Sequence, residues 1–333
     1  MHIQPGADDI PRDQAVVAQL LIDTLRRELG ALGAEAMDLL SQLHEEGLTS
    51  YPGLWALAYR LQDQRQGAPS RRLEALHRLT REARRSQERA RASGSEPWRL
   101  DLTPPARHLS ESLERAVRQS PQRPGWEAAL AEMALTEWRE AQRQVFRATS
   151  HLLAAVWPEM LSELRLVIQQ VALMRGGGID GFTDFAVHGA VFVNIRRLSS
   201  VKVPPDLRLA EALIHEGCHT RCNAAAVVRP FLRDSSKDSP HVMTPLRPDP
   251  RPLTGLFQQL VVLCRCLGFY ERVVGRGLGG EGTVARCDKL RQQARQAWGT
   301  LQAHAHELTD HGLGVVRQAG MQLEKSATQG ASL

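Results

Sequence analysis

Residues 204–219 read PPDLRLAEALIHEGCH, and this stretch is the most informative part of the chain. Two prolines and Asp206 are typical of a helix start, because proline fits the first turn and an acidic side chain favours the positive end of the helix. The apolar residues that follow recur at helical spacing, at Leu209, Ala210, Leu213 and Ile214. The sequence therefore predicts a helix that carries the pattern His-Glu-x-x-His at residues 215–219.

This pattern is a candidate metal site. His215 and His219 are four residues apart, so their imidazoles lie on one face of the helix and can bind the same ion. In zinc hydrolases with this pattern the glutamate is the general base, and the metal lowers the pKa of its bound water. We predict a mononuclear site with His215 and His219 as ligands and Glu216 as the catalytic residue; the alternative is two buried structural histidines.

Two imidazoles hold an ion weakly, so a third protein ligand is expected. The extended pattern His-x-x-Gly-x-x-His is absent, because residues 220–226 read TRCNAAA. The sequence leaves four candidates open: Cys222, His241, Gln258 and Glu271. Cys218, inside the pattern, is expected to face the core.

The composition is that of a globular protein, with 42% hydrophobic and 24% charged residues in 333. No run of 18 apolar residues is present and the first residues lack the layout of a secretory signal, so we expect a cytoplasmic protein without a membrane partner. Five scattered cysteines are typical of reduced thiols. The net charge of +5 is small for this length and almost entirely arginine, which argues against a nucleic-acid partner.

Helical patterns fill the first half of the chain. We predict an N-terminal helical region over residues 1–157 that comprises a helical hairpin, a second helical block, a linker and one long helix (14–46, 51–92, 93–108 and 126–156). Residues 158–333 form the predicted metal-binding catalytic region. It comprises two strands (163–174 and 188–195), the motif helix that starts at residues 204–206, a proline-rich loop (239–252), an apolar helix (253–274) and a last helix (284–327). The predicted fold is α+β and mostly helical, with a zincin-like region that holds a small sheet and the metal helix.

Three stretches together resemble a known family: GAVFVNI, LAEALIHEGCH and RPDPRPLTGLFQQLVVLCRCLGFYERV (189–195, 209–219 and 247–273). They look like the HExxH-type peptide β-hydroxylases, bacterial oxygenases dependent on iron(II) and 2-oxoglutarate that act in peptide natural-product biosynthesis. The resemblance covers about a third of the chain, residues 161–274. It implies an α-helical metal site of iron(II) bound by His215 and His219, with 2-oxoglutarate and O₂ as co-substrates.

The same resemblance marks Arg251 as a residue that binds the co-substrate. The planar guanidinium of arginine can hold a carboxylate through two parallel hydrogen bonds, and 2-oxoglutarate presents such a group. The sequence alone equally allows Arg251 to brace its proline-rich loop. The implied substrate is a peptide or an amino acid, possibly bound to a leader or carrier, and the oligomeric state is left open.

One position departs from the family pattern. There the helix after the Arg-Pro stretch reads Gly-x-x-His-Gly, whereas residues 255–259 here read GLFQQ, so Gln258 stands in the place of the expected third ligand. An amide oxygen is a weaker ligand than an imidazole. Three hypotheses follow: an oxygenase that hydroxylates a peptide or amino-acid side chain, a zinc hydrolase or peptidase with Glu216 as general base, and a non-catalytic peptide-binding descendant.

Overall fold

The computed structural model describes residues 1–6, 8–63, 69–92, 97–102, 106–120, 125–199, 201–233 and 240–330. The described residues form twelve α-helices and six strands. The predicted class is therefore confirmed: the protein is α+β and mostly helical, with a small sheet.

Four helices pack together at the beginning of the chain: α1 (Ile10–Leu29), α2 (Ala34–Glu45), α3 (Pro52–Asp63) and α4 (Pro69–Ala92). Their apolar faces meet in a cluster that buries Leu25, Leu40, Leu54 and Leu76 completely. Helical spacing of these residues creates one apolar stripe per helix, and burying that stripe holds the group together. The predicted hairpin and helical block are confirmed.

The next segment differs from the prediction. It contains α5 (Arg107–Gln119), α6 (Glu127–Ala131), strand β1 (Ala134–Thr136), α7 (Glu140–Val156) and α8 (Pro158–Val167). The single long helix predicted over 126–156 is wrong, because β1 interrupts it. Pairing with a distant strand outweighs the local helical pattern: Leu135 lies opposite Met174, and Nε1 of Trp138 donates a hydrogen bond to the carbonyl of Val171 over 2.9 Å.

The main sheet has four strands in the order β1-β2-β4-β3, where β2 is Gln170–Arg175, β3 is Gly181–Thr183 and β4 is Ala190–Asn194. The central strands β2 and β4 are parallel and almost completely buried, while β1 and β3 pair antiparallel at the two edges. The strand predicted over 163–174 is too long, because α8 extends to Val167. The strand predicted over 188–195 is confirmed as β4, and β3 was not predicted.

Helix α9 (Pro205–Val228) is the central helix and carries the His-Glu-x-x-His residues. It starts at Pro205 as predicted and packs against α1, α7, α8 and α10. Gly217 permits the close approach of α8, since a Cβ there would lie 2.4 Å from Cδ2 of Leu164. A larger residue at this position would therefore force the side chain of Leu164 to move.

The remaining elements are β5 (His241–Thr244), β6 (Arg247–Pro252), α10 (Leu253–Gly275), α11 (Glu281–Ala303) and α12 (Asp310–Gly330). The predicted proline-rich loop is mostly an antiparallel hairpin of β5 and β6. The single last helix predicted over 284–327 is wrong, because the chain turns between α11 and α12. That turn is held by the amide of Thr309, which donates to the carbonyl of Phe231 over 3.0 Å.

Contacts cross the expected boundary at residue 157. The largest hydrophobic cluster contains Ile10 and Trp98 together with Leu213, and a buried ion pair of 2.6 Å joins Asp13 on α1 to Arg221 on α9. The predicted linker 93–108 lies partly outside the described residues, and its described part contains the buried Trp98. The division into regions 1–157 and 158–333 stays a prediction, and the two share one core.

Helix α10 is long and apolar enough to cross a membrane by length and composition. Its apolar stretch is 78% buried inside the fold, and buried core helices pass the same test, so this one helix is weak evidence for a membrane span. The cysteine prediction is confirmed, since Cys218, Cys222, Cys264, Cys266 and Cys287 are all free and buried.

Candidate metal site

The two histidines of the motif lie side by side on α9. Their ring centroids are 5.1 Å apart with an angle of 61° between the planes, and both side chains are partly exposed. Burial, together with the neighbouring His219 and Arg197, lowers the pKa of His215 to about 3. The imidazole of His215 is therefore neutral at physiological pH, which is the form that binds a metal.

The orientation of His219 is fixed by Gln258. Nδ1 of His219 donates a hydrogen bond to Oε1 of Gln258 over 2.7 Å, and Nε2 of Gln258 donates to Oδ1 of Asn223 over 3.0 Å. With its proton on Nδ1, a neutral imidazole keeps a lone pair on Nε2 for a metal. The structure thus brings Gln258 to the site, and its amide oxygen is engaged with the ring of His219.

Glu216 lies beneath the edge strand β3. The hydroxyl of Thr183 donates to Oε2 of Glu216 over 2.7 Å, and a Cβ on Gly181 would lie 2.7 Å from Oε1. Only 5% of Glu216 is exposed, so both ends of its carboxylate are packed against the strand. The sequence analysis did not predict this contact. Its signal in the sequence is that Gly181 leaves room for the carboxylate and Thr183, two residues later on the same face of β3, offers a hydroxyl donor.

The other candidate ligands lie in different environments. Cys222 is fully buried in the core, and burial raises the pKa of its thiol well above the ordinary value. His241 is exposed at the start of β5. Glu271 forms an ion pair of 3.3 Å with Arg291. Over the part of the chain that the structure describes, no group of three His, Cys, Asp or Glu side chains could hold an ion.

Arg251 is placed on β6. Its Nη2 lies 2.9 Å from Oδ2 of Asp249, and its Nε is buried with no hydrogen-bond partner among the described residues. One donor of the guanidinium is therefore unused within the described part of the protein. A buried donor without a partner costs free energy unless a ligand satisfies it.

A cluster around Glu211, one helical turn before His215, was not predicted. Glu211 accepts hydrogen bonds from Arg208 over 2.7 Å, from the hydroxyl of Tyr270 over 2.8 Å, and from Arg286. Burial alone would raise the pKa of Glu211, but Arg286, Arg208 and Arg197 outweigh it and hold that pKa at about 2. The cluster ties α9 to α10 and α11 beside the histidines.

No protein-family model matches the chain, and a search of curated proteins finds no match. The resemblance to the peptide β-hydroxylases therefore rests on the residues quoted above.

Proposed function

We propose that this chain is a mononuclear metalloenzyme, and that its best assignment is an iron(II) and 2-oxoglutarate dependent oxygenase. Its reaction would be hydroxylation of a peptide or amino-acid side chain in natural-product biosynthesis. The observation that carries the proposal is the hydrogen bond between His219 and Gln258. Such a bond would favour the tautomer that leaves Nε2 for a metal and would limit rotation of the ring, as partners of ligating histidines do in metal sites.

Two described side chains could hold the metal, while no group of three His, Cys, Asp or Glu side chains lies together among the described residues. His215 and His219 lie side by side on one face of α9, and the contact of Nδ1 of His219 with Gln258 leaves Nε2 as its nitrogen for a metal. Iron(II) held in this way would supply the oxygen-activating chemistry, and open coordination positions are what such oxygenases need.

The surroundings of the helix support a zincin-like arrangement. Edge strand β3 runs antiparallel to β4 and touches the motif helix through Thr183 and Gly181. Glu216 joins the helix to that strand, and in the oxygenase proposal this is its role: it positions β3 relative to the histidines. Arg251, with its unpaired Nε, is the proposed partner of the co-substrate carboxylate.

The second candidate is a zinc hydrolase with Glu216 as general base. The observation that favours it is the carboxylate itself, which follows the first histidine on the helix, is buried and accepts a hydrogen bond from Thr183. In that reaction Glu216 would accept a proton from the attacking water, and Thr183 would hold the carboxylate in place.

The test is metal analysis of protein purified without oxygen, followed by titration with 2-oxoglutarate and detection of a visible charge-transfer band. Bound iron together with the band supports the oxygenase. Zinc alone supports the hydrolase, and no metal at all supports a non-catalytic peptide-binding protein. Replacing His215→Ala should abolish binding, while His151→Ala, an exposed histidine on α7, is the matched control. Metal retained in His215→Ala at wild-type stoichiometry would refute the site.

A further inference from the structure

A positively charged cavity of about 440 Å³ lies beside the start of α9. Its wall contains four cations and one carboxylate: Arg196, Arg197, Lys202, Arg208 and Asp180. The carboxylate of Asp180 is engaged by Arg196, whose Nη2 donates to it over 2.7 Å. The cavity wall therefore carries an excess of positive charge, which attracts anions.

Glu211, behind the cavity, offsets only part of this charge. Arg208 donates to it directly and Nη1 of Arg197 lies 3.9 Å away as a longer ion pair, so this one carboxylate is shared between both arginines. Nε of Arg197 is buried and has no hydrogen-bond partner among the described residues. Lys202 is exposed and forms no ion pair within the described part of the chain. Arg197 and Lys202 are thus both available to an anion from outside.

The cavity also adjoins an open sheet edge. Asp180 on its wall immediately precedes Gly181, the first residue of β3. Strand β3 pairs with β4 on one side, and on its other side no described strand is paired with it. An extended peptide can add to such an edge through main-chain hydrogen bonds. A peptide that continues past Gly181 would deliver its side chains to the cavity.

We propose that this cavity binds acidic side chains of a peptide that lies along β3. The inference rests on the proposed function and names the substrate class: peptides with Asp or Glu near the modified residue. Arginine and lysine are the donors that hold carboxylates, and a cavity of this size is larger than one carboxylate requires.

The experiment uses the full chain after treatment with a metal chelator, so that peptide binding is measured independently of the metal. Fluorescein-labelled hexaglutamate is titrated and followed by anisotropy at low salt, with labelled hexaglutamine as the uncharged probe. The cavity variant is Arg197→Gln combined with Lys202→Gln. The matched control combines Lys289→Gln with Arg295→Gln, which removes the same charge from exposed positions on α11.

We expect hexaglutamate to bind and hexaglutamine not to bind, and added salt to weaken the complex. The cavity variant should lose affinity by about 10-fold or more, and the control by less than about twofold. Equal losses in both variants, or no binding of hexaglutamate, would overturn the proposal. Displacement of the peptide by inorganic phosphate or 2-oxoglutarate at stoichiometric concentration would also overturn it, because the cavity would then hold a small anion. Failure of the metal test with peptide binding intact would overturn only the proposed function.

Discussion

Gln258 and His219 lie 39 residues apart in the chain, and Oε1 of Gln258 accepts a hydrogen bond from Nδ1 of His219 over 2.7 Å. Asn223 holds the other end of the amide, so the acceptor oxygen faces the ring. Gln258, a candidate third ligand, thus contacts the second histidine of the motif directly. In this position a glutamine can orient a ligand even though its oxygen is a weak ligand itself.

The first prediction concerns this contact. Replacing Gln258→Leu removes the acceptor, and we expect the affinity for Zn²⁺ to fall by roughly 10- to 100-fold, the usual effect of losing a partner of a ligating histidine. Replacing Asn223→Ala should cause a smaller loss, because the amide then keeps its contact with His219 but not its anchor. Competition with a chromophoric chelator measures both. The control is Gln259→Leu, and wild-type affinity in Gln258→Leu would contradict the role assigned to Gln258.

The second prediction concerns the contact between β3 and Glu216. In Gly181→Ala the new Cβ would lie 2.7 Å from Oε1 of Glu216 and 3.2 Å from the carbonyl of Phe192. Strand or carboxylate must move, and we expect the free energy of unfolding to fall by about 1–3 kcal/mol in urea titrations. Gly299→Ala on α11 meets nothing within 4 Å and should raise stability by up to about 1 kcal/mol. Equal effects of the two changes would show that Gly181 is not tightly packed.

The third prediction concerns Glu211. In Glu211→Gln the half-buried guanidinium groups of Arg208 and Arg286 lose the counter-charge of a buried carboxylate, and we expect the free energy of unfolding to fall by about 1–3 kcal/mol. The exposed pair of Glu140 and Arg147 provides the control, because Glu140→Gln should cost less than about 1 kcal/mol. Chemical denaturation at neutral pH compares them, and a Glu211→Gln protein as stable as the control would contradict the prediction.

The lowered pKa of Glu211 also predicts how the free energy of unfolding changes at acidic pH, which the same denaturation experiment measures. Its pKa is lowered from 4.5 to about 2 in the folded protein, so the unfolded chain binds the proton first as pH falls. The stabilisation is therefore complete above pH 4.5 and is lost as pH approaches 2. The Glu211→Gln variant should lack this part of the pH dependence.

The fourth prediction concerns His188, which lies just before strand β4. It is buried against Trp55 and Phe185, with ring centroids 5.3 and 5.6 Å away, and burial lowers its pKa from 6.5 to about 4. Stability that depends on neutral His188 is present above pH 6.5 and is lost as pH falls towards 4. In His188→Gln the difference in unfolding free energy between pH 7 and pH 5 should shrink by about 2 kcal/mol.

The control for His188 is the exposed His151, and His151→Gln should keep the wild-type difference between the two pH values. An unchanged difference in His188→Gln would mean that folding does not lower the pKa of His188.

The motif helix could be predicted closely because its signals are local. Proline at the first turn, helical spacing of Leu209 and Leu213, and histidines four residues apart all act within a few residues, and α9 begins at Pro205 as expected. The strand β4 was predicted for the same reason, since five successive buried residues make an apolar run. The predicted secondary structure was wrong where pairing with a distant segment determines the conformation. Strand β1 is an example, because its partner β2 lies about 40 residues further along the chain.

The sequence by itself determined the class of the fold, the central helix and the face on which His215 and His219 lie, because helix periodicity and capping depend only on neighbouring residues. Only the tertiary structure decided what surrounds that face. The bond of Gln258 to His219, the strand that covers Glu216 and the three arginines around Glu211 join segments far apart in the chain. Their positions follow from how the helices and the sheet pack, and packing is a property of the whole chain.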